Sequence, residues 1–212
     1  MKLRIWIVCL VLLGMVGWVS GQNMKSLEIH VGTLNPKGSP SGMLLGGAYG
    51  INVDEAVDIG LGVFYFWKTY TEDTEIINPG ADPNIPATAT VTQELEYNTS
   101  LLPISLNLTM HFPVQPPLGF YAGGAISYQF LFSKQNNYVD DISEKELYKG
   151  LGWIIRGGLE YQLGSKSSFI VEAFYNICKA KGKEGKKAGL PVWDEVDLTG
   201  LGFRAGVHLI LF

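Results

Sequence analysis

The stretch that decides the fold is the C-terminal one, GLGFRAGVHLILF at residues 200–212. Every second residue from Leu201 to Leu211 is apolar, whereas the positions between them include Arg204 and His208. Alternation with a period of two is the signature of a β-strand that has two different faces. The stretch therefore predicts a terminal strand with one apolar face and one face of charge and glycine.

The same alternation recurs upstream and predicts seven further strands. Pro103 lies inside the fourth of them and predicts a bulge or a local break in the ladder, because proline has no N–H to donate. With the terminal strand the total is eight. The seven upstream strands fall at residues 27–33, 43–51, 57–67, 97–112, 120–132, 151–163 and 169–177.

The connections between these strands alternate in length. Those after strands two, four and six are short, whereas those after strands three, five and seven are long polar loops at residues 71–92, 133–149 and 179–197. Membrane barrels have an even number of strands, short periplasmic turns and longer outer loops. The alternation of short and long connections therefore predicts a barrel with both termini in the periplasm and the three long loops outside.

The charged side chains share one face of the predicted strands. An arginine on the lipid face at mid-bilayer would cost about 2–4 kcal/mol, so the charged face is expected to line the lumen. A soluble lipocalin-like barrel would place its faces the other way round. Aromatic residues also gather near both ends of the strands, as membrane interfaces favour. The predicted lumen charges are Glu28, Asp58, Arg156, Glu160, Glu172 and Arg204.

The N-terminus predicts export. Lys2 and Arg4 precede an apolar run that ends in Ser20 and Gly21, which is the pattern of a cleaved signal peptide. The predicted organisation is a signal peptide at residues 1–21 and one barrel domain at residues 22–212. Removing the leader leaves Cys178 as the one cysteine, so no internal disulfide is expected.

Two blocks resemble a known superfamily. LLPISLNLTMHFP at residues 101–113 and GFYAGGAISYQF at residues 119–130 are similar to the fourth and fifth strands of the small outer-membrane β-barrels related to OmpX, OmpW and the transmembrane domain of OmpA. The resemblance implies an all-β, eight-stranded, antiparallel, up-and-down transmembrane barrel in the bacterial outer membrane.

The resemblance also implies a role for the chain terminus. Phe212 would serve as the C-terminal assembly signal, with periplasmic chaperones and the barrel-assembly machinery as partners during biogenesis. In the superfamily the terminal aromatic shares the lipid face, whereas Phe212 has the opposite parity from Leu211 and Leu209. The final strand is therefore expected to carry a bulge or to end irregularly.

The lumen charges leave two interpretations open. An eight-stranded barrel is just wide enough for side chains to fill its interior, so the charges can form a self-satisfied plug of ion pairs. They can instead form the selectivity ring of a narrow pore. His30, His111 and His208 lie on the inward side and are expected to make interior hydrogen bonds.

No residue pattern predicts catalysis. The histidines lie on different strands without ligand spacing, so neither a metal nor another cofactor is expected. Ser105 and Ser127 point inward, but nothing in their context marks a nucleophile. Gly-Leu-Gly occurs at Gly60, Gly150 and Gly200 without a following helix, which argues against phosphate binding and favours space for larger neighbours.

A lysine-rich run in the last loop is the candidate binding segment. Such runs are usually solvated, but at the outer surface this one could contact lipopolysaccharide phosphates or other anionic glycans. Its basic residues are Lys179, Lys181, Lys183, Lys186 and Lys187.

The sequence thus predicts a monomeric outer-membrane barrel, not an enzyme, with a structural or surface-interaction role. Its expected partners are outer-membrane lipid and lipopolysaccharide. The alternative is a narrow pore or transporter for small or hydrophobic solutes. The net charge of −4 gives no basic excess for nucleic-acid binding.

Overall fold

The computed structural model describes residues 24–54, 56–78, 88–137, 142–187 and 190–211. The predicted signal peptide and Phe212 lie outside these residues. The described residues form nine antiparallel strands. They are β1 (Lys25–Pro36), β2 (Gly42–Asp54), β3 (Val57–Asn78), β4 (Thr88–Gln115), β5 (Leu118–Asn137), β6 (Ile142–Gln162), β7 (Ser167–Lys187), β8 (Leu190–Asp197) and β9 (Gly200–Leu211).

Eight of the strands close into a ring, as the alternating pattern predicted. Consecutive strands pair from β1 to β7, β7 pairs with β9, and β9 returns to pair with β1. The closing register places Ile29 opposite Val207. A closed ring satisfies every strand edge, which a strand in lipid requires. The fold is therefore an up-and-down β-barrel.

The ninth strand, β8, lies outside the ring. It pairs with the distal part of β7, where Lys181 faces Glu195 and Lys187 faces Leu190. Within the described residues, no helix has the length and apolar character needed to cross a membrane.

The three predicted long loops are largely extended hairpin arms, so their assignment as loops was wrong. β3 and β4 remain paired out to Asn78 and Thr88, and β5 and β6 out to Asn137 and Ile142. The β7–β8 hairpin occupies the third predicted loop. Once a hairpin is in register, two polar chains can continue to satisfy each other's backbone groups without an apolar face. A sequence test based on apolar alternation therefore misses them.

Pro103 interrupts one ladder without shifting it. On the β5 side Pro103 pairs with Gln129 in an unbroken register. On the β3 side, the pairs in the described residues pass from Val63–Ile104 to Phe66–Leu101 in the same register. The predicted local break is therefore present, and a bulge is not.

The outer wall of the barrel is apolar, and its inner wall carries the charge. In β6, Ile155 and Leu159 on the outward face are 61% and 64% exposed, whereas Arg156 between them is 4% exposed. Aromatic pairs stack at both ends of this outer face: Phe112 with Phe120, and Tyr65 with Trp67. An exposed apolar band between two aromatic girdles is the surface of a transmembrane barrel.

Candidate functional site

The centre of the lumen holds a cluster of two arginines and two glutamates. Arg156 Nη1 donates to Glu28 Oε2 at 3.2 Å and to Glu172 Oε2 at 3.3 Å, and Arg204 Nε donates to Glu172 Oε1 at 2.6 Å. Arg156 also donates through Nη2 to the Thr109 hydroxyl. The charges of the four ionic groups cancel. All four side chains are almost completely buried, so each depends on the others for compensation.

Neutral donors complete the carboxylates of this cluster. The Tyr121 hydroxyl donates to Glu172 Oε2 at 3.0 Å, and His30 Nε2 donates to Glu28 Oε2 at 3.0 Å. A buried carboxylate is stabilised only when its lone pairs are satisfied as well as its charge. The cluster is therefore a connected polar network and not a row of isolated charges.

Aromatic rings separate this network from an apolar layer. The Arg204 guanidinium carbon lies 4.3 Å from the ring centroid of Phe64 and 5.0 Å from that of Phe174, within cation–π range. Beyond these rings, toward the hairpin arms, the lumen is filled by apolar side chains. The buried apolar set is Leu34, Leu44, Phe64, Phe66, Leu101, Leu131, Tyr148, Phe174, Cys178, Ala180 and Leu198.

Inward glycines make room for the inward aromatics. A Cβ on Gly46 would lie 2.6 Å from Phe64 Cδ1, and one on Gly42 would lie 2.6 Å from Phe66 Cε2. Gly202 faces the Phe174 ring in the same way. Each aromatic ring therefore lies over a glycine of a neighbouring strand, a close approach that a side chain would block.

A second polar cluster lies at the end with the short turns. His111 Nε2 donates to Asp58 Oδ2 at 3.0 Å, and His111 Nδ1 donates to Glu160 Oε2 at 3.2 Å. His208 Nδ1 donates to Glu160 Oε1 at 3.3 Å, and the two imidazole rings stack with centroids 5.8 Å apart. Since both nitrogens of His111 face carboxylates, this geometry suits the imidazolium form.

A cavity of about 190 Å³ opens beside this second cluster. Deeper in the lumen, two smaller voids lined by described residues have volumes of about 10 and 20 Å³. A cavity needs about 10–15 Å³ of this volume to hold one water molecule. Of these three cavities, the wide one lies at the mouth with the short turns.

An amide layer lies among the apolar side chains, because Asn176 follows Phe174 and precedes Cys178 on the inward face of β7. Gln129 Nε2 donates to Asn176 Oδ1 at 2.6 Å and to Ser127 Oγ at 2.8 Å. Asn176 Nδ2 donates to the backbone oxygen of Leu198 at 2.7 Å. The side chains of all three polar residues are buried, so this layer adds a second set of crosslinks between β5 and β7.

The six predicted lumen charges all face inward but divide between two clusters. Glu28, Arg156, Glu172 and Arg204 meet at the centre, whereas Asp58 and Glu160 lie at the mouth. Each of the three histidines belongs to one of the two clusters. His30 lies in the central cluster, and His111 and His208 lie in the cluster at the mouth. No group of His, Cys, Asp or Glu within the described residues has the arrangement of a metal site.

The two serines considered as nucleophiles have partners other than histidine. Ser105 Oγ donates to Asn107 Oδ1 at 3.1 Å, and Ser127 Oγ accepts from Gln129. Both side chains are buried. Their position is that of structural hydroxyls on the inner wall of the barrel.

Sequence reasoning missed the apolar inner layer. Phe64 and Phe66 occupy even-numbered positions on β3, as Asp58 and Gly62 do. Since alternate residues of a strand face the same side, this places both phenylalanines inside the barrel. Aromatic residues near a strand end suggest a membrane interface, but Phe64 and Phe66 face inward whereas Trp67 faces outward. Continuing the inward parity to the end of each strand would have found this layer.

The predicted lysine segment forms part of the β7–β8 arm. Lys179, Lys181 and Lys183 are exposed on its outward face, and Lys179 Nζ lies 3.1 Å from Glu195 Oε1. The bounds of β7 include Lys186 and Lys187, but their side chains lie outside the described residues, as does Phe212.

Comparison with known proteins identifies the architecture. No protein-family model and no curated protein matches the sequence. Among solved structures, the chain is similar to the outer membrane protein OprG from Pseudomonas aeruginosa, with a TM-score of 0.59 at 13% identity, covering 91% of this chain and 98% of that one. It is similar to Neisserial surface protein A, with a TM-score of 0.53 at 13% identity, covering 90% and 98%.

A third similar structure is the Escherichia coli outer membrane protein W, with a TM-score of 0.52 at 13% identity, covering 91% of this chain and 100% of that one. These likenesses confirm the fold, and the apolar band between aromatic girdles supplies the independent physical reason to place it in a membrane. The chain therefore has the fold of the small, eight-stranded outer-membrane β-barrels.

Proposed function

We propose that this protein is a non-conducting outer-membrane barrel whose membrane part is a rigid anchor and whose outer arms act by contact. The packing of side chains in the lumen supports the proposal. Beyond the mouth cavity of about 190 Å³, two voids lined by described lumen residues have volumes of about 10 and 20 Å³. A hydrated ion needs a continuous water-filled path, and voids that each hold one water molecule at most do not provide it.

The chemical character of the lumen side chains also supports a non-conducting barrel. In a selectivity ring the charged groups face passing solutes, whereas here Arg156 and Glu172 face each other and are fully buried. On the arm side, Phe64, Phe66 and Leu101 form a dry layer that water enters at a cost. Two barriers of opposite character therefore lie in series along the lumen.

The hairpin arms support a surface-interaction role. The strands that flank them continue as paired arms past the outward aromatic residues Trp67 and Trp153. An arm that satisfies its own backbone can hold a fixed shape in solvent. We propose that these arms present the binding surface, that the chain acts as a monomer without enzymatic activity, and that lipid and lipopolysaccharide surround it.

Biogenesis follows from the same architecture. We propose that periplasmic chaperones carry the exported chain and that the assembly machinery recognises the terminal strand with Phe212. Deleting that residue should leave the protein able to refold in detergent but slow its insertion in cells. Equal insertion of both forms would remove Phe212 as the signal.

A solute-flux assay tests the proposed function. Purified protein is refolded into lipid vesicles, folding is verified by heat-dependent gel mobility, and vesicle swelling is followed in isotonic solutions of small sugars and amino acids. The account predicts the swelling rate of protein-free vesicles. Swelling above that rate with folded protein would support the alternative of a narrow pore or transporter.

A further inference from the structure

Three buried side chains line one small void in the lumen, and each has a polar atom without a hydrogen-bond partner among the described residues. The atoms are Asp58 Oδ1, Asn107 Nδ2 and Arg156 Nε. The three residues are only 6%, 7% and 4% exposed. A buried polar atom without a partner is costly, so three of them around one void indicate a bound group.

The void exists because two inward glycines face each other on its wall. Gly50 and Gly60 are directly opposed across β2 and β3, and both line the void. An aromatic ring covers Gly46 farther along the lumen, whereas the residues that line this void include no aromatic side chain. Its volume of about 10 Å³ is the lower limit for one water molecule.

The other polar atoms of these three side chains have partners within the barrel. Asp58 Oδ2 accepts from His111 Nε2 at 3.0 Å, and Asn107 Oδ1 accepts from the Ser105 hydroxyl at 3.1 Å. Arg156 uses Nη1 and Nη2 for the contacts of the central cluster. The void is therefore surrounded by one free acceptor, on Asp58, and two free N–H donors.

This combination of groups selects the occupant. A cation is excluded by the guanidinium of Arg156, and an anion is excluded by the carboxylate of Asp58. A water molecule can accept two hydrogen bonds and donate to a third group. If the amide of Asn107 is turned over, water can instead donate to both Asp58 and Asn107 and accept from Arg156.

We propose that this void is a binding site for one water molecule, which links the two polar clusters of the lumen. Asp58 belongs to the cluster at the mouth, and Arg156 belongs to the central cluster. The water therefore joins them into one hydrogen-bonded network. The inference rests on the packed lumen of the proposed function and adds this link, which is an isolated water and not a path for ions.

Solution NMR of the refolded barrel tests the site through magnetisation transfer from water to nearby N–H protons. The probes are the Nε–H of Arg156 and the side-chain amide of Asn107. The internal control is the Nε–H of Arg204, which donates to Glu172 Oε1 at 2.6 Å. We expect rotating-frame cross-peaks of dipolar sign to water at both probes and none at Arg204.

Three single variants exclude transfer through a hydroxyl proton that exchanges with water. Ser26→Ala, Ser105→Ala and Thr109→Val each remove a hydroxyl near the void or a probe. The cross-peaks at the remaining probes should persist in all three variants. Their loss in any one of them would assign the signal to the hydroxyl and overturn the water site.

The variant S26A/G50A fills the void. A Cβ on Gly50 would lie 2.6 Å from Ser26 Oγ and 3.4 Å from the backbone oxygen of Ile59, so removing the hydroxyl makes room for the new methyl group. We expect S26A/G50A to lose the cross-peaks at Arg156 and Asn107, whereas the matched control Ser26→Ala keeps them. Heat-dependent gel mobility verifies folding of each variant.

A double-mutant cycle tests the link between the clusters. Asp58→Asn changes the acceptor of the water and should shift the Nε–H resonance of Arg156, although the two side chains form no direct ion pair. The same substitution in the S26A/G50A background should lose most of that shift. An equal shift in both backgrounds would show that the coupling does not pass through the water.

Three further results would overturn the site. Folded wild type could lack the cross-peak at Arg156, or the cross-peak could persist in S26A/G50A. The resonance of Arg156 could also shift when sodium or chloride is replaced by another ion at equal ionic strength, which would make the occupant an ion. If S26A/G50A does not fold, the wild-type comparison of Arg156 with Arg204 still decides. Current steps from a preparation with intact cross-peaks would overturn the proposed function alone.

Discussion

Glu172 and Arg204 face each other directly across β7 and β9, and Arg204 Nε donates to Glu172 Oε1 at 2.6 Å. The other edge of β9 pairs with β1, which carries Glu28. Arg156 on β6 bonds to both glutamates. The strand that closes the barrel is thus joined to its surroundings by buried ion pairs as well as by its backbone ladders.

Arg156→Ala should lower the free energy of unfolding by about 3–5 kcal/mol, because it leaves two buried carboxylates without their shared cation. Urea unfolding in detergent, followed by heat-dependent gel mobility, measures the change. Lys183→Ala, an exposed charge on β7, is the control and should change little. Equal stability of Arg156→Ala and wild type would contradict the plug.

Gly202→Ala should destabilise the barrel by about 1–3 kcal/mol, because the added methyl group overlaps the Phe174 ring. The control is Gly157→Ala on the outward face, where the nearest atom to a new Cβ is the Tyr121 backbone oxygen at 3.6 Å. Adding Phe174→Leu should recover part of the loss in the first variant. Equal effects of the two glycine substitutions would show that lumen packing does not decide stability here.

Shortening the β3–β4 arm should leave the ring intact. Replacing residues 73–93 by a short turn removes chain whose described residues pair only within the β3–β4 arm, while the register from Val57–Met110 to Val63–Ile104 remains. The expected result is unchanged heat-dependent mobility and a similar unfolding temperature, since loop length has a small effect on closure entropy. Failure to refold would mean that the arm contributes to ring formation.

The junction between β8 and β9 should loosen in acid. Thr199 donates from its backbone N–H to Asp197 Oδ1 at 2.9 Å, and its hydrogen bonds hold the pKa of Asp197 below its ordinary value. The unfolded carboxyl has the higher pKa, so this stabilisation is complete above about pH 4 and is lost as pH falls through the folded-state pKa.

Amide hydrogen exchange at Thr199 between pH 5 and pH 2 measures that change, after correction for the intrinsic pH dependence of exchange. Protection should decrease in acid in wild type, whereas Asp197→Asn should start with less protection and lose little more. Asp194→Asn, another carboxylate of the same hairpin, should follow wild type. The same acid response in Asp197→Asn would exclude this carboxylate as the cause.

The alternation of inward and outward residues along each strand explains what could be predicted from the sequence. A period of two tells which face each residue takes, so the ring of eight strands and the inward direction of Glu28, Arg156 and Arg204 followed from the pattern. Parity does not give the stagger between distant strands. The bond from Arg156 to Glu28 joins β6 to β1, and the division of the six charges into two clusters depends on that stagger.

The remaining differences have two physical causes. The arms continue as strands because polar chains can pair in solvent, where apolar alternation gives no signal. The dry layer around Phe64 and Phe174 was missed because an aromatic residue near a strand end suits both a lipid interface and a lumen. Only by continuing the inward–outward alternation to the end of each strand can an aromatic residue at a lipid interface be told from one in the lumen.

Single-channel recording in a planar lipid bilayer tests the filled lumen most directly. We expect folded wild-type protein to give no discrete current steps. The triple variant F64A/R156A/F174A, which removes side chains from both barriers, serves as the positive control and should give steps if it folds. Reproducible steps from folded wild type, altered by neutralising Glu172, would contradict the account and make the charge cluster the filter of a pore.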